Sequence, residues 1–170
     1  MRQEIREKTA YMGVLLSLSL LLSYVESLIP FYFGVPGIKL GLANLAVVIV
    51  LYWYGWREAI ALNVMRVLLS GFLFGNLFMI MYSLAGAVCS FLMMCFVRKT
   101  GKFSVVGVSI SGGIFHNVGQ LGVAVFVTET VAAVSYLPVL AAAGTVTGML
   151  IGLTAAEVLK HTKGYMGRKG

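Results

Sequence analysis

Apolar residues fill long stretches of this chain, and polar residues gather where those stretches end. Six stretches read as membrane helices, over about 9–29, 40–54, 58–74, 77–97, 104–127 and 136–159. Crossing ~30 Å of hydrocarbon takes about 20 apolar residues at about 1.5 Å of rise each. The second and third stretches are short and need shielding by their neighbours. Pro30, Gly34, Pro36 and Gly37 interrupt the first connection, and Gly55 with Arg57/Glu58 marks the second. Gly71, Gly75 and Asn76 mark the third, and the stretch from Arg98 to Lys102 marks the fourth. Gly, Pro and clustered polar residues are where regular structure stops. The expected fold is therefore all-α, a single six-helix integral membrane domain over residues 1–170. The first stretch follows a basic head (Arg2, Arg6, Lys8) and could be a signal peptide. Its apolar run is too long for one and no small-x-small cleavage site precedes Pro30, so it reads as a retained anchor.

Polar residues inside apolar segments are costly, so their depth matters. Arg66 lies nine residues beyond Arg57, roughly 13 Å along a helix and near the midplane. His116 lies twelve beyond Ser104, roughly 18 Å along, with Asn117 and Gln120 further on. Glu26 falls near the end of the first helix, Lys39 and Asn44 at the start of the second, and Asn76 and Glu129 at helix ends on the same side. Helical spacing aligns these groups. Ala59, Asn63, Arg66 and Ser70 form one small or polar stripe, as do Gly112, His116 and Gln120, and Ser19, Ser23 and Glu26. Stripes turned inward would make a polar cavity open toward the outside and closed below by apolar packing.

Each of these residues also has a structural reading. Arg66 could be an ion-paired strut, with Glu26 or Glu129 as counter-ion. His116, Asn117 and Gln120 could be interhelical hydrogen-bond links. Lys39 could be an interfacial anchor, and Asn44 and Asn76 caps. Gly144, Gly148 and Gly152 form two G-x-x-x-G steps, and Gly13 and Ser17 form a small-x-x-x-small pair. Such strips serve packing within the chain or contact with a membrane partner. Phe31, Tyr32 and Phe33 could form a lid over the cavity or an interfacial belt, and Tyr52, Trp53, Tyr54 and Trp56 read as a belt.

Charge fixes the expected orientation. The 170 residues carry a formal net charge of +7. Eleven basic residues (Arg2, Arg6, Lys8, Arg57, Arg98, Lys99, Lys102, Lys160, Lys163, Arg168 and Lys169) fall on one side of a six-span arrangement, against Lys39 alone on the other. The positive-inside bias then places both termini in the cytoplasm and the chain in the plasma membrane. This placement suits a lipid bilayer and gives no reason to expect nucleic acid as a partner.

Composition removes other classes. Hydrophobic residues make up 59% and charged ones 11%, where soluble domains carry about a quarter charged. All six acids are Glu and there is no Asp, which excludes chemistry built on paired aspartates. Cys89 and Cys95 lie on different helix faces and imply neither a disulfide framework nor a metal cluster. No G-x-x-x-x-G-K-[ST], H-E-x-x-H, C-x-x-C or G-x-S-x-G occurs. No catalytic residue, metal or cofactor is expected, and energy for transport would come from elsewhere.

The stretches Pro36-Gly-Ile-Lys-Leu-Gly-Leu-Ala-Asn44, Asn63-Val-Met-Arg66 with Gly71-Phe-Leu-Phe-Gly75, Tyr82-Ser-Leu-Ala-Gly86 and His116-Asn-Val-Gly-Gln120 resemble the Gx transporter family. That family is also labelled heptaprenyl diphosphate synthase component I, and the resemblance covers nearly the whole chain. It is similar to the substrate-binding S-components of energy-coupling factor (ECF) transporters. The resemblance implies six helices, a vitamin-like solute bound near the outer face, and the first connection as a lid. It also implies association with a transmembrane coupling protein and two cytoplasmic ATPases, partly through small residues of the first helix. Gly13 and Ser17 then become candidate coupling contacts, in place of the family's two alanines.

Prenyl chain elongation ionises an allylic diphosphate with Mg²⁺ ions neutralising the leaving group. A chain without aspartate, its glutamates scattered, is not expected to be that catalyst. Three readings follow. One is an S-component-like subunit that captures a small, partly anionic vitamin- or cofactor-like solute through Arg66, Lys39, His116, Asn44, Asn117, Gln120, Glu26 and Glu129. A second is a non-catalytic membrane subunit of a prenyl diphosphate synthase, with its polar stripes packed shut. A third is a solitary passive carrier.

Overall fold

A computed structural model describes residues 2–28, 41–129 and 131–166. Among them the chain is helical, with no strand. The helices are α1 (Arg2–Leu28), α2 (Asn44–Trp53), α3 (Trp56–Phe74), α4 (Leu77–Lys99), α5 (Val105–Thr128) and α6 (Leu137–Met166), with a short 3₁₀ turn (Val131–Tyr136) before α6. Local chemistry explains several ends. The Asn76 side chain accepts from Met79 N (2.9 Å) to start α4, and Ser104 Oγ accepts from Gly107 N (3.3 Å) to start α5. Both satisfy amide donors that a first helical turn leaves without partners. Arg98 and Lys99 close α4, where cations favour the negative end of the helix dipole. Between α2 and α3, Gly55 takes φ +104°, a conformation side chains other than glycine rarely adopt.

Among the described residues four helical stretches are long and apolar enough to cross a membrane: Ile5–Leu28, Leu77–Lys99, Val105–Val127 and Val134–Thr162. The two short stretches of the sequence differ from them for physical reasons. Helix α3 has 19 residues, but it carries Arg57, Glu58 and Arg66. Helix α2 has only ten residues, about 15 Å of rise. It is sheathed instead by the other helices: Val47, Val50 and Leu51 have no exposed surface. An all-round apolar helix such as this one belongs inside a bundle. The basic head predicted as a flank continues as helix, so α1 begins at Arg2, and α6 runs past 159 to Met166.

Two polar ties put helix ends together. Lys8 Nζ meets Glu58 Oε1 at 2.5 Å, joining the second turn of α1 to the first turn of α3. Arg98 Nη1 donates to the Leu51 carbonyl at 2.6 Å, joining the last turns of α4 and α2, and its guanidinium lies 4.7 Å from the Tyr52 ring centre. One end of the bundle is therefore basic. An apolar core of Leu15, Ala46 to Leu51, Leu62, Phe91, Met94, Val108 and Ile151 fills the bundle near that end. Large apolar side chains also face outward, including Phe126 at 82%, Phe72 at 76% and Leu77 at 71% exposed. That outer surface suits hydrocarbon and would be a liability in water.

The glycine strip of α6 packs within the chain. A Cβ on Gly113 would stand 2.2 Å from the Gly144 carbonyl oxygen. On Gly148 it would stand 2.7 Å from the Ile110 Cα, and on Gly152 2.7 Å from the Val106 Cα. The register runs backward, so α5 and α6 are antiparallel and approach backbone to backbone. Asn117 Nδ2 donates across the same contact to the Leu140 carbonyl (2.8 Å).

Candidate functional site

Above the apolar core, at the end opposite the basic residues, the helices part around a cavity of about 190 Å³. Helix α1 contributes Ser23, Glu26 and Ser27, and the start of α2 contributes Gly41 and Asn44. Helix α3 supplies Arg66, Val67, Ser70, Gly71 and Phe74, with Gly75 just after it. Helix α4 adds Met79 and Ser83, and α5 adds His116. The stripes expected from the sequence thus converge: Ser23/Glu26, Arg66/Ser70 and His116 meet from three different helices.

The electrostatic centre is Arg66, buried at 8% exposure. Its Nη2 donates to Asn63 Oδ1 (2.8 Å) on its own helix and to Asn44 Oδ1 (3.2 Å) at the start of α2. Asn63 in turn donates to the Ala87 carbonyl of α4 (3.4 Å), which orients its oxygen toward the guanidinium. One nitrogen is thus held by two amides. The buried Nε has no hydrogen-bond partner among the described residues. A buried donor left unmade costs free energy, and a ligand acceptor arriving there recovers it. Glu26 lines the same cavity and accepts from Leu42 N (3.1 Å). The wall thus carries one cationic and one anionic group, with the Ser23, Ser27, Ser70 and Ser83 hydroxyls around them. The Ser23 Oγ is also buried without a partner among the described residues.

A second, smaller space of about 20 Å³ adjoins the first and shares Gly41, Asn44 and His116 with it. Its other walls include Ser90, Ser109, Asn117 and Thr147. By volume it holds one water molecule.

The structure brings together Arg66, Asn44, Glu26 and His116 in one cavity and Asn117 in its small extension. Gln120 is buried one turn beyond His116 and packs against Gly86, where a Cβ would lie 2.8 Å from the Gln120 Cγ. It lines neither space. Glu129 is exposed and caps α5 in a left-handed conformation (φ 51°), away from the cavity. Lys39 and the aromatic cluster Phe31, Tyr32 and Phe33 lie outside the described residues. Gly13 and Ser17 are exposed on α1, their strip turned away from the bundle: a Cβ on Gly13 would meet nothing within 4 Å.

Asn63 and Ser83 were the less legible members. Asn63 was readable as part of a polar stripe, but not as the group that fixes the guanidinium. Ser83 begins a small-residue face on α4, with Gly86 and Ser90 following at 3 and 4 spacing, and that spacing was the available signal.

Chemically the arrangement can bind a small polar solute: a fixed cation, a carboxylate and hydroxyls in a partly closed, low-dielectric space. Among the described residues no three of His, Cys, Asp or Glu come together as a metal site. No curated protein and no solved structure matches this chain. The pattern of the family described as heptaprenyl diphosphate synthase component I matches residues 15–158, most of its length, and the chain belongs to that family.

Proposed function

We propose that this chain is a substrate-binding, S-component-like subunit of an energy-coupling factor type importer. It captures a small, partly anionic vitamin- or cofactor-like solute from outside the plasma membrane. In this reading all six helices are embedded, α2 as a short inner stave, with both termini and the basic end cytoplasmic. The cavity then opens on the outer side. The observation that carries the reading is Arg66, buried at the wall of a polar cavity with its Nε unmatched among the described residues. Charged groups inside apolar bundles mark solute paths more often than they serve as struts. The solute's anionic group takes the open face of the guanidinium, while Asn44, His116 and the serine hydroxyls bond its polar edges. Lys39, which lies outside the described residues, is assigned by this reading as a further contact for the anionic group, and Asn117 and Gln120, both buried on α5, back the wall that carries His116. Reorientation is driven by a coupling protein and its two ATPases, docked on the exposed Gly13/Ser17 strip.

Native mass spectrometry of gently extracted protein tests this. A co-purified small molecule is expected on the wild type and absent from Arg66→Ala, with helical content unchanged. A ligand retained at full occupancy by Arg66→Ala removes the guanidinium from the site.

The family description favours a second reading, a non-catalytic membrane subunit of a prenyl diphosphate synthase. The absence of aspartate argues against this chain being the catalyst itself. This reading expects a soluble, aspartate-rich synthase to co-purify, and it expects polar stripes packed shut. The cavity of about 190 Å³ weighs toward solute capture.

A further inference from the structure

A second large space lies away from the polar cavity, on the outer flank of the bundle near the basic end. It is a groove of about 580 Å³ between the first half of α3 and the second half of α4. Ile60, Val88 and Leu92 line its trough, and Trp56, Arg98 and Lys99 stand at one end. From Val88 to Lys99 the groove follows twelve residues of α4, a rise of about 16 Å, the hydrocarbon depth of one leaflet. Its polarity is graded along that length: apolar at the far end, two cations at the near end.

The near end is built rather than merely charged. Arg98 is clamped by its bond to the Leu51 carbonyl and by the Tyr52 ring, so it cannot swing freely. Lys99 is exposed beside it. Trp56 is 58% exposed, and the Arg57 guanidinium lies 5.3 Å from its ring centre. Indole at the level where hydrocarbon gives way to headgroups is a membrane-interface arrangement. A neighbouring protein helix, about 10 Å across, would fill over twice this volume along the same length. A hydrocarbon chain enters it, and a phosphate at its end meets the cations.

We propose that this groove is a binding site for an anionic phospholipid. One acyl chain lies along Val88, Leu92 and Ile60, and the headgroup phosphate is held by Lys99 and Arg98. Trp56 flanks the glycerol level. The site is independent of the solute cavity and does not rest on the importer reading.

The test uses Trp56 as the reporter in a Trp53→Phe background, reconstituted in phosphatidylcholine vesicles. Dibrominated phosphatidylglycerol or dibrominated phosphatidylcholine is added as a contact quencher. Quenching by the anionic lipid is expected at about fivefold lower mole fraction, the preference that one cation near the surface confers. Lys99→Gln removes that preference. Val88→Phe, which fills the trough, reduces quenching by both lipids. Equal quenching by the two lipids in the parent protein overturns the proposal, as does a preference that survives both Lys99→Gln and Arg98→Gln. Farnesyl diphosphate displacing the brominated lipid more effectively than unbrominated phosphatidylglycerol also overturns it, in favour of a prenyl diphosphate site. Native mass spectrometry of the wild type, counting retained phosphatidylglycerol against phosphatidylcholine, asks the same question without the Trp53 change.

Discussion

At the scale of single residues, the guanidinium of Arg66 does two things at once. It ties α3 to the start of α2 through Asn44, and it keeps donors for a ligand. Lysine retains the charge but not the planar fork. Arg66→Lys is therefore expected to weaken solute binding about tenfold while the bundle stays folded, measured by ligand retention and thermal unfolding in parallel. Asn117 separates from it in role. Its amide bonds the Leu140 carbonyl across α5 and α6. Asn117→Ala should lower stability by about 1 kcal/mol, readable in a thermal melt, and leave solute affinity within about twofold. Much of this was legible in the sequence, because a charged residue deep in an apolar helix stands out. That Asn63 holds the arginine, that Gln120 turns to Gly86 and that Glu129 stays exposed was not legible. Those outcomes depend on which neighbour a side chain meets, and a single helix's periodicity carries no such information.

At the scale of elements, glycine decides how closely helices approach. Gly113 faces the Gly144 carbonyl oxygen, and an added methyl would stand 2.2 Å from it. Gly113→Ala should push α5 from α6 and destabilise the protein by about 2 kcal/mol, seen as a lower melting temperature. Gly122→Ala is the control, since a Cβ there meets nothing within 4 Å. On α1 the same type of residue serves differently. Gly13→Leu should leave the melt unchanged, because the strip faces outward, and reduce co-purification of a coupling protein if that surface docks one. The strip on α6 was visible as two G-x-x-x-G steps, but spacing alone left open whether it met this chain or another. The brevity of α2 was half legible. Its apolar run was clear, and its complete burial depended on the helices around it.

At the scale of the whole molecule, the uneven distribution of positive charge was the strongest signal, and the helix ends that carry it do meet at one end of the bundle. The expected topology puts that end in the cytoplasm. In a background with Cys89→Ala and Cys95→Ala, a cysteine introduced by Lys102→Cys should react with a membrane-impermeant maleimide only after the membrane is opened. One introduced by Glu129→Cys should react in intact cells. The reverse pattern would invert the molecule and turn the cavity toward the cytoplasm.

Helices α4, α5 and α6 touch through Gly113, Gly119, Gly144 and Gly148 at main-chain distance, whereas the contacts of α1 include the side-chain ties of Lys8 to Glu58 and of Glu26 to Leu42 N, and its Gly13 faces open space. A closely joined slab thus faces a less closely seated leaf, and α3 completes the polar chamber between them with Arg66, Ser70 and Phe74. Amide hydrogens of α5 should exchange far more slowly than those of α1, and a bound solute should slow the leaf's exchange most, because bridging a seam restrains the side that was freer to move.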